Sequence, residues 1–380
     1  MDNLAIFMTL SDIIEAAPRR SSGGYPHEKI VLSSRVRLAR NLREKPFPGW
    51  ARKAERLEVL QLLKGTVELQ ECMAGGFSEN MEGIPALERQ ILVERHLISR
   101  EHAAKGVGSA VVISEDQTIS VMINEEDHLR MQALAPGLQL GKAYEKIEAL
   151  DAILEEALDI AFHSKLGYLT ACPSNVGTGM RASAMLHLPA LVMTEQISKI
   201  VNSVNKIGLA VRGLHGEGTE AMGNLFQVSN QTTLGESELE IIGRLERVIE
   251  QIIGHELNAR LTLLQNKLVT LLDQIGRAYG VLSHSHSLSS KECLNLLSVI
   301  KLGVDLNLFP TEHLAEVDEL FILSQPAHLQ IGASKQKLSA EARDTLRASL
   351  IRARFKKIPP PDLMRISAGE GTTCEKTNDE

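Results

Sequence analysis

The sequence predicts an α+β protein that ends in an all-helical region. Residues 110–113 and 118–123 form two β-prone runs around Glu115-Asp116-Gln117, the pattern of a β-hairpin. Short strand-like runs recur at residues 30–32, 208–211 and 225–229, separated by helical patterns. Beyond Gly235, Ile241, Ile242, Leu245, Val248, Ile249 and Ile252 fall at helical spacing, and no strand signal follows.

At 380 residues the chain has room for two domains with separate cores. Its 43% apolar and 23% charged content is that of a soluble globular protein. A net charge of −7 argues against nucleic-acid binding by bulk charge, so local arginine clusters carry information. Cys72, Cys172, Cys293 and Cys374 lie far apart without a CxxC pair, so neither zinc spacing nor a disulfide framework is expected. The start has Asp2 and no Lys or Arg before its apolar residues, which suits neither a signal peptide nor a membrane span. We read it as an amphipathic helix ending at Pro18, in a cytoplasmic protein with reduced thiols.

In chain order, a Ser/Gly loop at 19–28 leads to the strand at 30–32, then Ser33, Ser34, Arg35, Val36 and Arg37. Strand alternation puts Arg35 and Arg37 on one face. They repel unless an anion sits between them, or they form a solvated basic edge. Residues 51–73 read as a helix through Leu57, Val59, Leu60 and Leu63. His96, among charged neighbours, reads alone as structural. The hairpin runs into Asn124-Glu125-Glu126-Asp127-His128-Leu129-Arg130. Three adjacent carboxylates need a cation, metal or water to share them, or else open a helix as a solvated turn.

Residues 141–164 read as one long amphipathic helix. The central stretch follows at 167–188, GYLTACPSNVGTGMRASAMLHL. It combines the Cys172 thiol, Gly177-Thr178-Gly179 and Arg181. Glycines let backbone N–H groups approach an anion, and a guanidinium fork suits phosphate. Residues 180–188 read as a strand or as the first turns of a helix. A helix at 191–205 and the strand at 208–211 precede Arg212-Gly213-Leu214-His215-Gly216-Glu217-Gly218-Thr219-Glu220, a Gly-rich loop with two carboxylates. Helices are expected over 236–282, from Ser289 (capped with Glu292) to 302, over 311–323 and over 339–355. The proline-bearing tail is expected to be disordered.

Arg35, Arg37, Arg130, Arg181 and Arg212 all sit at strand ends or Gly-rich turns, and five convergent guanidiniums suit a nucleoside triphosphate. The chain has no GxxxxGK[ST] loop and no HRD or DFG set. An arginine clamp is then the route to phosphoryl transfer, which depends on positioning and charge neutralisation. Glu126 and Glu217 suit a cationic acceptor instead. A guanidinium pairs naturally with a carboxylate, and its nitrogen is a poor nucleophile with a pKa above ~12. Two carboxylates can align it and receive its proton.

SSRVRLARNL, NEEDHLR, LTACPSNVGTGMRAS and RGLHGEGTE, in that order over residues 30–235, resemble the ATP:guanidino phosphotransferases, the creatine and arginine kinase family. The resemblance implies an antiparallel sheet flanked by helices, with ATP and Mg²⁺ as cofactors and no resident protein metal site. It implies a nucleotide site of Ser33, Ser34, Arg35, Val36, Arg37, His96, Arg130, Arg181, Ala182, Ser183, Ala184, Met185, Arg212, Gly213, Leu214, His215 and Gly216. Glu126 resembles the catalytic carboxylate, Cys172 the reactive thiol beside the guanidinium, and Glu217 the second carboxylate.

Fewer than forty residues precede Ser33, where small-molecule members carry a helical domain, and the chain continues into further helices. Both features resemble the bacterial protein-arginine kinase (McsB-like) branch. Its RDxxRA motif matches Arg343-Asp344-Thr345-Leu346-Arg347-Ala348, a set that implies a phosphoarginine site. Taken alone, that segment would be an amphipathic helix with a surface ion pair. His215 departs from the arginine often found there in arginine kinases. The branch implies protein substrates with exposed arginines, a Clp-type AAA+ protease, an activator protein and a homodimer, without nucleic acid or membrane. A free-arginine kinase and a non-catalytic phosphoarginine-reading adaptor are the alternatives. The expected division is 1–28, an N-terminal helix and loop; 29–255, the catalytic domain; 256–357, the helical domain; and 358–380, the tail.

Overall fold

The computed structural model describes residues 8–15, 24–213, 221–333 and 337–362. Helix α1 (Leu10–Glu15) precedes strand β1 (Val31–Arg40). Next come α2 (Lys53–Glu68), β2 (Phe77–Asn80), α3 (Ala86–Glu94), α4 (Arg100–Ala103), β3 (Ala110–Ile113), β4 (Ile119–Ile123) and β5 (Leu129–Pro136). Helix α5 (Leu140–Ala157) leads to a short hairpin, β6 (Phe162–His163) and β7 (Gly167–Tyr168), and then to β8 (Met180–His187). Helices α6 (Pro189–Met193) and α7 (Ile197–Lys206) precede β9 (Leu209–Gly213) and β10 (Leu225–Asn230). The helical region comprises α8 (Glu238–Asn266), α9 (Leu268–His284), α10 (Ser290–Asp305), α11 (Leu314–Leu323), α12 (Pro326–Ala333) and α13 (Ala340–Phe355).

Eight strands form one sheet in the order β2-β3-β4-β5-β1-β8-β10-β9, antiparallel throughout. Strand periodicity of two separates its faces. Cross-strand partners Val36, Ala133 and Ala182, then Ala184 and Val228, all face the main core. That core is closed by α5 (Ile147, Leu150, Leu154) and α8 (Leu245, Ile249, Ile252). On the other face, Val111 and Met122 join a smaller cluster with Ile13, Leu92 and Leu97, which covers only the β2–β4 end. Between β5 and β9 that second face carries mostly polar and cationic side chains.

Several boundaries differ from the sequence reading, each for a tertiary reason. The helix read over 141–164 ends at Ala157, because Leu158 is extended and Ile160 bridges to Leu42 beyond β1. The helix read over 191–205 is two helices, broken where Glu195 takes a φ of 59°. Likewise, 236–282 divides at Lys267. Residues 180–187 are a strand, paired on both sides by β1 and β10. The acidic run leads into β5, not into a helix. β2 and α12 carried no recognised signal. The boundary expected between 255 and 256 falls inside α8, whose side chains enter the main core from Ile241 to Leu263. α8 starts with a reciprocal capping box, Ser237 with Glu240. The expected amphipathic N-terminal helix is described only as α1, and the tail from residue 363 lies outside the described residues.

Candidate active site

Sheet register gathers the arginines. On β1, Arg35 and Arg37 point to one face, and Arg37 lies opposite Arg181 of β8 and Gln132 of β5. Arg130 is paired with Ala39, and Arg212 with Gln227, so both belong to that same face. The face floors a cleft of about 280 Å³ lined by Arg37, Glu126, Arg130, Cys172, Arg181 and Arg212, with Ser174, Asn175, Gln227, Ser229 and Gln231.

Most of these cations have protein partners. Arg130 Nη1 donates to both Glu125 oxygens at 2.7 and 2.5 Å. Burial pushes the Arg130 pKa down, but the charge and hydrogen bond of Glu125, with the charges of Glu126 and Glu101, together outweigh it and the net shift is upward. Arg181 donates to Asn175 Oδ1 (3.0 Å), Ser174 Oγ (2.9 Å) and the Asn230 carbonyl (2.8 Å). Arg35 donates to Gln227 Oε1 at 3.1 Å, and burial beside Arg130 lowers its pKa to about 10. Arg37 differs, because its Nε is buried with no acceptor among the described residues. Burial, then the charges of Arg35 and Arg130, push its pKa well below the ordinary arginine value. An anion in the cleft would relieve both problems.

The three adjacent carboxylates have three different fates. Glu125 is buried against Arg130 and accepts from Ser99 Oγ at 2.5 Å. Asp127 is buried too, accepting from Asn41 Nδ2 (2.6 Å) and the Ala171 N–H (2.7 Å). Glu126 alone of the three is exposed, and it lines the cleft, where the buried Asp127 also contributes to the wall. Partial burial, and then the Asp127 charge, raise its pKa, which suits a group that takes up a proton.

The Asp127–Ala171 bond also holds the segment carrying Cys172, whose Sγ lies 3.0 Å from Ser174 Oγ. The glycines of this loop serve chain crossing. A Cβ on Gly167 would lie 2.3 Å from the Gly177 carbonyl oxygen, and one on Gly177 would lie 2.1 Å from that of Thr233. Arg40, on the opposite face of β1 from Arg37, locks the loop base. It donates to the Thr178 carbonyl at 3.0 Å, pairs with Asp151 at 2.5 Å and stacks over Tyr168 at 3.4 Å.

The nucleotide-site residues expected from sequence divide by face. Ser33, Arg35, Arg37, Arg181, Ser183 and Met185 share the cleft face. Val36, Ala182 and Ala184 turn into the core, and Ser34 is buried, donating to the Gly137 carbonyl at 2.8 Å. Those four side chains therefore cannot line the cleft. His96 is exposed with a φ of 61°, and its carbonyl accepts from Gln132 across the cleft face. Gly213 ends β9, and Leu214, His215, Gly216 and Glu217 lie outside the described residues. Sequence reasoning assigned no role to Ser174, Asn175, Gln227, Ser229 or Gln231. The alternation of Gln227 and Ser229 with Phe226 and Val228 was the available signal for a polar strand face.

The RDxxRA segment lies on α13. Arg347 is 1% exposed, so this is no surface ion pair. Its guanidinium donates to the Ser324 carbonyl (2.8 Å), the Leu288 carbonyl (2.6 Å), Ser290 Oγ (2.7 Å) and Asp344 Oδ1 (2.6 Å). Ala348 is buried beside it, and Arg343 is half-buried.

Residues 61–259 match the model of the ATP:guanido phosphotransferase C-terminal catalytic domain. A protein-arginine kinase of Halothermothrix orenii is 47% identical over 349 residues, covering 92% of this chain and 99% of that one. The chain belongs to the ATP:guanido phosphotransferase family, among the protein-arginine kinases. This ATP-dependent phosphotransferase also matches the protein-arginine kinase McsB C-terminal domain over residues 268–365. The protein-arginine kinase of Brevibacillus brevis is 46% identical over 338 residues, 88% of this chain and 94% of its own. Among solved structures, a lombricine kinase superposes with a TM-score of 0.54 at 26% identity, over 63% of this chain and 69% of that one. The duplicated taurocyamine kinase of Schistosoma mansoni gives 0.55 at 26% identity, over 67% of this chain and 39% of that one. The expected antiparallel sheet flanked by helices is the fold found.

Proposed function

We propose that this chain transfers the γ-phosphoryl group of ATP to arginine side chains of proteins. The observation that carries the reading is one sheet face on which Arg37 holds a buried donor with no acceptor among the described residues, beside four other arginines, with Glu126 lining the same cleft. The arginines hold the triphosphate and neutralise charge as it shifts. Glu126 orients the acceptor guanidinium and takes its proton. As the N–P bond forms, the bond from the γ-phosphorus to the β,γ-bridging oxygen breaks and ADP leaves. Glu217 is the second carboxylate in this reading, and Cys172 borders the acceptor side. Mg²⁺ bound with the nucleotide would offset phosphate charge, held mainly by phosphate and water.

The names of the relatives support protein arginines as acceptors. The wider reading is a cytoplasmic kinase, acting as a homodimer with an activator, whose products go to a Clp-type AAA+ protease. A second, allosteric phosphoarginine site at Arg343, Asp344, Arg347 and Ala348 belongs to the same reading. Because the donors of Arg347 are already engaged, a phosphoryl group there must displace an acceptor such as Ser290. The test is incubation with Mg-ATP and a denatured basic protein. Acid-labile, alkali-resistant phosphate on the protein is the expected result. Phosphate on free arginine alone would make the chain a free-arginine kinase, and none on either would make it an adaptor.

A further inference from the structure

The helical region grips the catalytic sheet at a point outside the cleft. Gly223 and Asn224, just before β10, are both left-handed, with φ of 66° and 53°. Glycine and asparagine tolerate that conformation, and this corner also has outside support. It comes from α10. The Gly223 N–H donates to Asn295 Oδ1 at 2.9 Å, and Asn224 Nδ2 donates to Ser298 Oγ at 2.8 Å. Ser298 Oγ also lies 2.8 Å from Nε2 of His187, the last residue of β8, and both residues are fully buried. The Leu188 N–H closes the knot on the Asn224 carbonyl at 2.9 Å. A Cβ on Gly223 would lie 3.2 Å from the Leu294 carbonyl oxygen, so the corner packs directly on α10.

These contacts tie together the end of β8 and the start of β10, the strands that carry Arg181 and Gln227. The start of α10 is itself held by Arg347, through the Leu288 carbonyl and Ser290 Oγ. We infer that Asn295 and Ser298 are positioning residues for the cleft: α10 uses them to set where β8 and β10 lie relative to β1. The spacing of Arg181 and Gln227 from Arg35 and Arg37 follows from that placement. Simple packing would need no acceptor oxygen at residue 295. The inference rests on the reading of the cleft as the nucleotide site.

The test compares Asn295→Leu, which keeps bulk but loses the acceptor, with Asn295→Asp, which keeps an oxygen, and with Ser298→Ala, all in the full chain. Three readouts are taken: kcat and KM for ATP per folded molecule, thermal unfolding, and amide hydrogen exchange. A shift of a few tenths of an ångström to 1 Å in a positioned group commonly costs ~10- to 10²-fold in rate. Asn295→Leu and Ser298→Ala are expected to lose about tenfold in kcat/KM, with faster exchange confined to residues 180–187 and 223–230. Asn295→Asp should restore both. Unchanged kcat and KM with lowered stability would overturn the inference, because packing alone gives that result. If the wild type itself binds no Mg-ADP, the reading of the cleft has failed separately. The exchange pattern then decides, and unaltered exchange in β8 and β10 would overturn the role of α10.

Discussion

Arg37 and Arg181 stand opposite each other on neighbouring strands, two guanidiniums on one sheet face, and among the described residues only Arg181 of the two has its Nε answered by a protein acceptor. Burial lowers the pKa of both, and neighbouring guanidiniums lower it further: Arg35, Arg130 and Arg181 at Arg37, and Arg212 and Arg130 at Arg181. The arrangement favours a bound polyanion over an empty cleft.

Removing one such charge should therefore act in opposite directions on stability and binding. Arg37→Met is expected to leave the nucleotide-free protein as stable as wild type or more so. Its affinity for Mg-ADP should fall by roughly 10- to 100-fold, the loss of a charge-assisted contact of ~1.5–3 kcal/mol. Thermal unfolding with and without Mg-ADP reads both effects, since ligand stabilisation follows affinity. A variant stabilised by Mg-ADP as strongly as wild type would contradict the clamp.

Glu126→Gln should cost about two or more decades in turnover while leaving Mg-ADP affinity near wild type. The reason is position: among the described residues Glu126 is exposed in the cleft without an ion pair to the arginine face, whereas Glu125 carries the ion pair to Arg130. Calorimetric titration beside a phosphoryl-transfer assay separates the two. A collapse of nucleotide binding would reassign Glu126 to the phosphate site.

The pH profile follows from the same residue. Its folded pKa is raised above the ordinary glutamate value of 4.5, so protonation begins at a higher pH than for a free carboxylate. A protonated Glu126 cannot accept the guanidinium proton. Plotted against falling pH, kcat/KM should drop along a limb that lies above 4.5. Glu126→Asp should keep such a limb and Glu126→Gln should abolish it. The same limb in Glu126→Gln would point to another group.

Arg347→Ala should destabilise the helical region by ~3–5 kcal/mol, because it strands two buried carbonyls, at Leu288 and Ser324, and leaves a cavity. Urea unfolding measures this. Arg347→Lys should recover little, since one ammonium cannot reproduce the planar fork. Asp344→Ala is therefore the cleaner variant for testing phosphoarginine stimulation. It should keep the fold and basal activity and lose the response to added phosphoarginine.

Local periodicity made part of this protein legible in its letters. The two-residue repeat of β1 puts Arg35 and Arg37 on one face whatever surrounds them, and the 3.6-residue repeat past Gly235 marks helices in the same way. The carboxylate run at 125–127 announced chemistry because three adjacent charges need an explanation. Which of the three stays exposed and, among the described residues, unpaired in the cleft was decided at long range, by Arg130 and Ser99 on Glu125 and by Asn41 and Ala171 on Asp127. Register across β5, β1, β8, β10 and β9 decided that arginines spread from residue 35 to 212 share one face. The resemblance to the RDxxRA motif singled out Arg343 and Arg347, and helical spacing read alone gave a surface ion pair; partners on other segments, Leu288, Ser290 and Ser324, made Arg347 interior. Side-chain direction along a single element is set by backbone geometry and can be read from sequence. Burial and charge pairing depend on which distant segment arrives opposite, and only the folded chain determines that.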